Sequence, residues 1–394
     1  MTVSNSSATH TELLSSPGPL AKEFQYVGAD AKQPLCKNNE IISNQKQVGN
    51  LQATNNIEKS SAPVNAGVEG LDAKSLVEIL DTTFPPQIPL IEDFLYTGTY
   101  LFAGAPKLGK SFFMAQIGFH ISTGTPIWNH VVHKGTVLYL ALEDNFARIQ
   151  KRLSKMFDMA DTDKFFFAIE SKSLNEGLDL QMENFIKEHP DTKLIIIDTL
   201  QKIREVGGDK YSYASDYEII TKLKSFADKY NIGILVIHHT RKMESSDTFD
   251  MISGTQGLLG AADGAFVMQK EKRTENKAVL EISGRDQQDQ KLHLKFDVER
   301  CVWEWEKAET ELWKAPPDPL LEAVSRVLTM ENPKWEGTAT ELVALLDGVE
   351  IAANVITRKL NVKADELYNK YHIRFASDHP HGQRRIILQL VEEE

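Results

Sequence analysis

Two periods of apolar and polar residues run along this chain, and the changes from one to the other mark its elements. Positions 100–103, 136–142, 165–168, 194–197, 232–237 and 264–269 read as strands, several of them nearly continuous apolar runs. Such runs suit strands covered on both faces, the condition of a parallel sheet. At 111–122, 146–159, 180–188 and 213–230, apolar residues return every three or four positions, the repeat of an amphipathic helix. Strands alternating with helices predict βαβ units, an α/β fold with a mainly parallel sheet flanked by helices. Runs at 277–282 and 291–296 follow closely and are expected as antiparallel strands or hairpins at one edge.

Residues 1–72 lack this patterning. They are rich in Ser, Asn, Thr, Gln and Lys, with aromatic residues only at Phe24 and Tyr26. Such a segment buries too little apolar surface to offset its ordering entropy, so a disordered tail is expected, with a partner-binding tail as the alternative. Residues 73–313 are expected as the main domain. Pro316, Pro317 and Pro319 stiffen 314–319, the expected linker. Residues 320–394 then read as a small unit, with helices at 320–330, 338–346 and 352–359 and a short fourth at 367–371. Strands at 373–375 and 385–390 flank a turn at 379–382. Helices followed by a two-stranded hairpin are the outline of a winged helix.

Composition narrows the function. The 394 residues are 41% hydrophobic and 25% charged, ordinary for a globular chain. A net charge of -12 argues against coating nucleic acid through bulk positive charge, and leaves a local basic lining open. Cys36 and Cys301 lie far apart and lack metal-ligand spacing, so no disulfide scaffold is expected and a reducing cytoplasm is the default. The first residues lack a basic stretch followed by an apolar one. No run reaches the roughly 18 apolar residues of a membrane span, so no membrane partner is expected.

The string Gly104, Ala105, Pro106, Lys107, Leu108, Gly109, Lys110, Ser111 fits G-x-x-x-x-G-K-[ST] and is followed by Phe112. Glycines let backbone N–H groups close around phosphate oxygens, and the helix that follows adds its positive end. A strand enters this loop and a helix leaves it, as that mechanism requires. These residues are the candidate ATP site, with Lys110 reaching the β and γ phosphates and Ser111 holding Mg2+.

Three more apolar strands end in polar groups. The run ending at Asp198 has the form of a Walker B element, its carboxylate directed at the magnesium shell; capping of the next turn is the plain alternative. The run ending at Glu143 and Asp144 offers Glu143 to accept a proton from the attacking water and Asp144 as N-cap of the helix from 146. The third ends in His238, His239, Thr240, Arg241 and Lys242. His238 suits a buried hydrogen bond, and His239 is the candidate sensor of the γ-phosphate.

In this order, these segments resemble the RecA-like hexameric ATPases, most closely the RepA-like helicases of plasmids and phages, relatives of the DnaB replicative helicases. The resemblance spans roughly 90–297. It includes Ser253, Gly254 and Thr255 with Ala262 and Asp263, after a loop at 243–251 that faces DNA in that family. It implies a RecA-like P-loop core, a nucleotide between subunits of a hexameric ring, and a trans-acting basic finger. Arg285 stands at the finger position, while Ser283 replaces the lysine of the family's Lys-x-Arg pair; pairing of Arg285 with a surface acid is the alternative. The C-terminal unit is similar to winged-helix modules appended to such ATPases. Arg241 and Lys242 on the pore loop, and Arg358, Lys359, Arg384 and Arg385 on the C-terminal unit, are the candidate DNA contacts. The implied function is a Mg-dependent helicase acting on single-stranded DNA, with a primase, initiator or loader as possible partner. A recombination or repair ATPase without unwinding, and an ATP-gated switch acting on a protein, are the alternatives.

Overall fold

The computed structural model describes residues 73–394 apart from 159, 205–212, 241–247, 253–255, 271, 273–274, 286, 314–315, 379–384 and 392–394. The expected tail, Arg241, Lys242, the segment 253–255 and Arg384 lie outside the described residues.

The large sheet contains β1 (Gly98–Gly104), β2 (Thr136–Ala141), β3 (Phe165–Ala168), β4 (Thr192–Asp198), β5 (Gly233–His239), β6 (Gly264–Gln269), β7 (Lys277–Gly284), β8 (Gln290–Asp297) and β9 (Val302–Ala308). Their order is β3-β2-β4-β5-β1-β6-β7-β8-β9. The first six are parallel neighbours, and from β6 to β9 the pairing is antiparallel. This is the α/β core with a mainly parallel sheet expected from the alternating pattern, and it agrees with the RecA-like core that the resemblance implies. The edge strand β9 was not anticipated. Only its first two residues, Val302 and Trp303, are buried, and from Glu304 on every position is exposed, so it lacks a core-facing alternation.

Helices cover both faces. α1 (Leu76–Asp81) precedes β1, and α2 (Lys110–Thr123) follows it. α3 (Phe146–Phe157), α4 (Leu178–Glu188), α5 (Leu200–Ile203), α6 (Tyr213–Tyr230) and α7 (Gln256–Ala261) complete the core. Successive strand residues point to opposite faces, and the two hydrophobic clusters divide accordingly. Leu194 and Ile196 join Phe113, Ile117 and Ile149 on the face of α2 and α3. Ile195 and Ile197 join Met182, Ile220, Leu223 and Leu258 on the face of α4, α6 and α7.

The C-terminal unit is α8 (Pro319–Ser325), β10 (Lys334–Gly337), α9 (Ala339–Leu345), α10 (Ala353–Val362), α11 (Ala364–Tyr371), β11 (Ile373–Asp378) and β12 (Arg385–Leu390). Its antiparallel sheet has the order β10-β12-β11, a third strand more than the expected hairpin. Leu321, Leu342, Ile356, Leu367 and Ile386 form its separate core. α8 begins at Pro319, inside the expected linker, because Asp318 caps it by accepting from the Leu320 N–H at 2.8 Å.

The segment before β1 runs along this unit. Arg358 of α10 donates Nε and Nη2 to Asp81 at 2.8 and 3.3 Å. Asn361 Nδ2 donates to the Leu80 carbonyl at 2.9 Å, and Asn369 Nδ2 to the Gln87 carbonyl at 3.0 Å.

Candidate nucleotide site

The parallel register brings four strand ends together. Gly104 at the end of β1 pairs with His239 at the end of β5, and Ala141 of β2 with Asp198 of β4. The loop 104–111 leaves β1 at this level and turns into α2. Gly109 has φ +102, a left-handed backbone, and a Cβ there would meet the Trp303 ring at 3.2 Å. At Gly104 a Cβ would lie 2.8 Å from the Met268 carbonyl oxygen, so both framing glycines are required by the backbone path itself.

Lys110 turns back over the loop. Its Nζ donates to the carbonyls of Gly104 at 2.8 Å and Ala105 at 3.0 Å, and lies 3.4 Å from Nδ1 of His239. Ser111 Oγ donates to Oδ2 of Asp198 at 2.8 Å, and the buried Tyr139 hydroxyl donates to the same oxygen at 2.9 Å. Glu143 accepts at Oε1 from the Thr199 hydroxyl at 3.2 Å. Lys110, Ser111, Glu143, Asp198 and His239 therefore surround one end of the sheet.

Burial sets the electrostatics. Desolvation holds the Lys110 ammonium down to about 8, against the opposing pull of Asp198 and Glu143. Desolvation also raises the Asp198 carboxyl, opposed first by its hydrogen bonds from Ser111 and Tyr139. His239 is lowered, first by burial and then by the Lys110 charge, which favours a neutral ring. His238 points to the other face and is buried there.

The remaining candidates fall elsewhere. Asp144 does not cap α3: Asn145 does, accepting from the Arg148 N–H at 2.9 Å. Asp144 instead accepts from Arg148 Nε and Arg152 Nη2, each at 2.8 Å, because the two arginines, four and eight positions on, share the helix face that looks back to it. The Arg152 guanidinium lies over the Phe112 ring at 5.0 Å, and that ring is 5.7 Å from Phe296. Arg285 follows β7, whose Gly284 pairs with Gly264, opposite Tyr100 near the start of β1. Four residues of β1 separate that level from Gly104, about 13 Å at strand rise. There Arg285 Nη2 donates to the Gly260 carbonyl at 2.9 Å, with Nη1 3.8 Å from Asp263. Arg358 is paired with Asp81, and Arg385 Nη1 with Glu336 at 2.9 Å.

Sequence reasoning missed Tyr139, Thr199, Gln116 and Trp303. Trp303 Nε1 donates to the Gly109 carbonyl at 3.3 Å. The Gln116 amide bonds the Trp303 backbone at both ends, 2.9 Å to its carbonyl and 2.8 Å from its N–H. The one signal in sequence was a polar residue in an apolar stretch, Tyr139 in its strand and Gln116 in its helix.

The strand–loop–helix at 104–111, with a hydroxyl–carboxylate pair across the strand ends, has the form of a P-loop nucleotide site. Residues 68–245 match the family model described as an AAA domain. Among solved structures, the chain is similar to the ATPase domain of another protein at 14% identity and a TM-score of 0.44, over 52% of this chain and 84% of that one. It is also similar, at 14% identity and a TM-score of 0.44, to a DnaB-like replicative helicase described with its interactions with primase. That likeness covers 52% of this chain and 58% of the other. None of the curated proteins matches the chain. Among the described residues, no helix is long and apolar enough to cross a membrane.

Proposed function

We propose that this protein is a magnesium-dependent ATPase that works as a ring-forming helicase of the RepA/DnaB kind, moving on single-stranded DNA during replication of a plasmid, phage or mobile element. The observation that carries the ATPase reading is the Ser111–Asp198 hydrogen bond of 2.8 Å beside the phosphate loop. A hydroxyl and a carboxylate are the hard oxygen donors magnesium takes. Among the described residues, no three His, Cys, Asp or Glu gather to hold a metal. That suits an ion taking most of its ligands from phosphate and water. Ser111 would hold magnesium there with Asp198 at its shell, and the ion would supply charge neutralisation to the triphosphate.

The chain's own groups do the rest. Lys110 exchanges the carbonyls of Gly104 and Ala105 for phosphate oxygens, and the amides of 104–111 close on the triphosphate. Glu143, steadied by Thr199, accepts the proton of the attacking water. Neutral His239, in contact with Lys110, relays loss of the γ-phosphate to the loop beyond β5. Phe112 and Arg152 offer a flat surface to the base.

The ring reading is supported by Arg285, which sits at the sheet end away from its own phosphate loop and suits a neighbour's site. An alternative, a switch that acts on a protein partner, draws on the C-terminal unit. There Arg358, Lys363, Lys370 and Arg385 are all paired with acids rather than left to phosphate. ATP hydrolysis with and without single-stranded DNA, strand displacement by wild type and Lys110→Ala, and native mass with nucleotide test the readings together. DNA-stimulated hydrolysis with unwinding supports the helicase. Hydrolysis indifferent to DNA moves the reading to the switch, and unwinding absent despite DNA stimulation moves it to a recombination or repair ATPase.

A further inference from the structure

Tyr139 sits in the middle of β2, within an apolar strand, and its ring is 1% exposed. β2 and β4 are parallel neighbours in which Tyr139 pairs with Ile196 and Ala141 with Asp198. Residues two apart on a strand share a face, so Tyr139 and Asp198 project to the same side of the sheet as diagonal neighbours. The Tyr139 ring is held 5.5 Å from Phe167, and its hydroxyl reaches Oδ2 of Asp198 at 2.9 Å.

Oδ2 therefore accepts two hydrogen bonds, one from the Tyr139 hydroxyl at 2.9 Å and one from Ser111 at 2.8 Å. The donors differ in kind. Ser111 is itself the metal-ligand candidate, so its oxygen is committed to the ion when nucleotide binds. Tyr139 has no such duty, and its buried hydroxyl faces no competition from bulk water.

We propose that Tyr139 is a positioning residue for the metal–nucleotide complex, fixing the Asp198 carboxylate through Oδ2 so that Oδ1 remains for the magnesium shell. This rests on the ATPase reading of the site. Nothing in the P-loop pattern requires a tyrosine there, and the residue touches neither phosphate nor metal in this role.

The test uses the full-length chain, Mn2+ as probe and a non-hydrolysable ATP analogue. Mn2+ binding is read by the loss of the free-ion paramagnetic resonance signal, and analogue binding without metal is read by calorimetry in chelator. Tyr139→Phe keeps the ring and its contact with Phe167. It is expected to weaken Mn2+ binding in the presence of analogue by about tenfold, the scale of one charge-assisted hydrogen bond, and to leave metal-free analogue binding unchanged. In an Asp198→Asn background the same substitution is expected to change Mn2+ affinity no further. Equal Mn2+ affinity in wild type and Tyr139→Phe overturns the proposal, as does an equal loss without metal or a full additional loss beside Asp198→Asn. Wild type that binds neither analogue nor Mn2+ instead removes the ATPase reading on which the proposal stands.

Discussion

Ser111 and Asp198 stand 87 positions apart in the chain, yet the serine hydroxyl donates to the carboxylate across 2.8 Å. The contact exists because α2 starts at the end of β1 and crosses the sheet over β4. If this pair steers the metal, the two residues act as a unit. Ser111→Ala and Asp198→Asn are each expected to lower kcat by about 100-fold or more, and the double variant by little beyond the worse single one. Phosphate release at saturating Mg·ATP measures this; fully additive losses would show two independent roles.

Lys110 gives a prediction in pH. Its ammonium titrates near 8 because burial outweighs the two acids nearby. Folding carries the full cost of this buried charge below about pH 8, and that cost fades as pH rises from about 8 towards the ordinary lysine value of 10.5, because the folded protein sheds the proton before the unfolded chain does. An arriving triphosphate favours the charged form and raises the value. At pH 8, ATP binding is expected to draw in about half a proton per site, read by calorimetry in buffers of different ionisation heat. Lys110→Arg is charged at every working pH and is expected to abolish the uptake. Persistence of the uptake in that variant would assign it to another group.

Arg285 is predicted to act across a subunit boundary. Arg285→Ala is expected to lose ATPase activity by 1000-fold or so, the scale of an arginine finger. Its own phosphate loop stays intact, so mixing it with Lys110→Ala protein is expected to restore part of the rate. A mixture as inactive as both parents would return Arg285 to its contacts with Gly260 and Asp263.

Trp303 braces the phosphate loop from the far edge of the sheet through Gly109 and Gln116. Trp303→Ala leaves a large void under the loop and is expected to cost about 3–5 kcal/mol of folding stability. Trp303→Phe removes the indole donor and keeps most of the volume, so it is expected to weaken nucleotide binding more than stability. Thermal melts with and without ATP separate the two. An unaltered ATP-dependent rise in Tm for Trp303→Phe would limit the residue to packing.

The Asp81–Arg358 pair bears on what the C-terminal unit does. Arg358→Ala and Asp81→Ala are expected to lower Tm alike and non-additively, while DNA affinity and its salt dependence stay as in wild type. A smaller salt slope in Arg358→Ala alone would make the guanidinium a phosphate contact.

The phosphate loop, the acids at two strand ends and the helix that opens at Lys110 were all legible from sequence, because each is set by neighbours within a few positions. So were the parallel core, whose strands are apolar on both faces, and most of the C-terminal helices. β9 and β10 were not. β10 has only four residues, and β9 is apolar mainly where it meets Gln116 and the loop, a partner nearly two hundred positions away. Asn145 took the cap from Asp144 because the helix's own arginines claimed Asp144, a competition that spacing alone does not rank.

The sequence by itself determined the local pieces, since a glycine-framed loop, a lysine and a strand-end carboxylate write their local backbone and charge directly. Tertiary structure alone decided which groups meet. Tyr139 reaches Asp198, Trp303 reaches Gly109 and Arg358 reaches Asp81 because strand register and packing fix distances that separation along the chain does not encode.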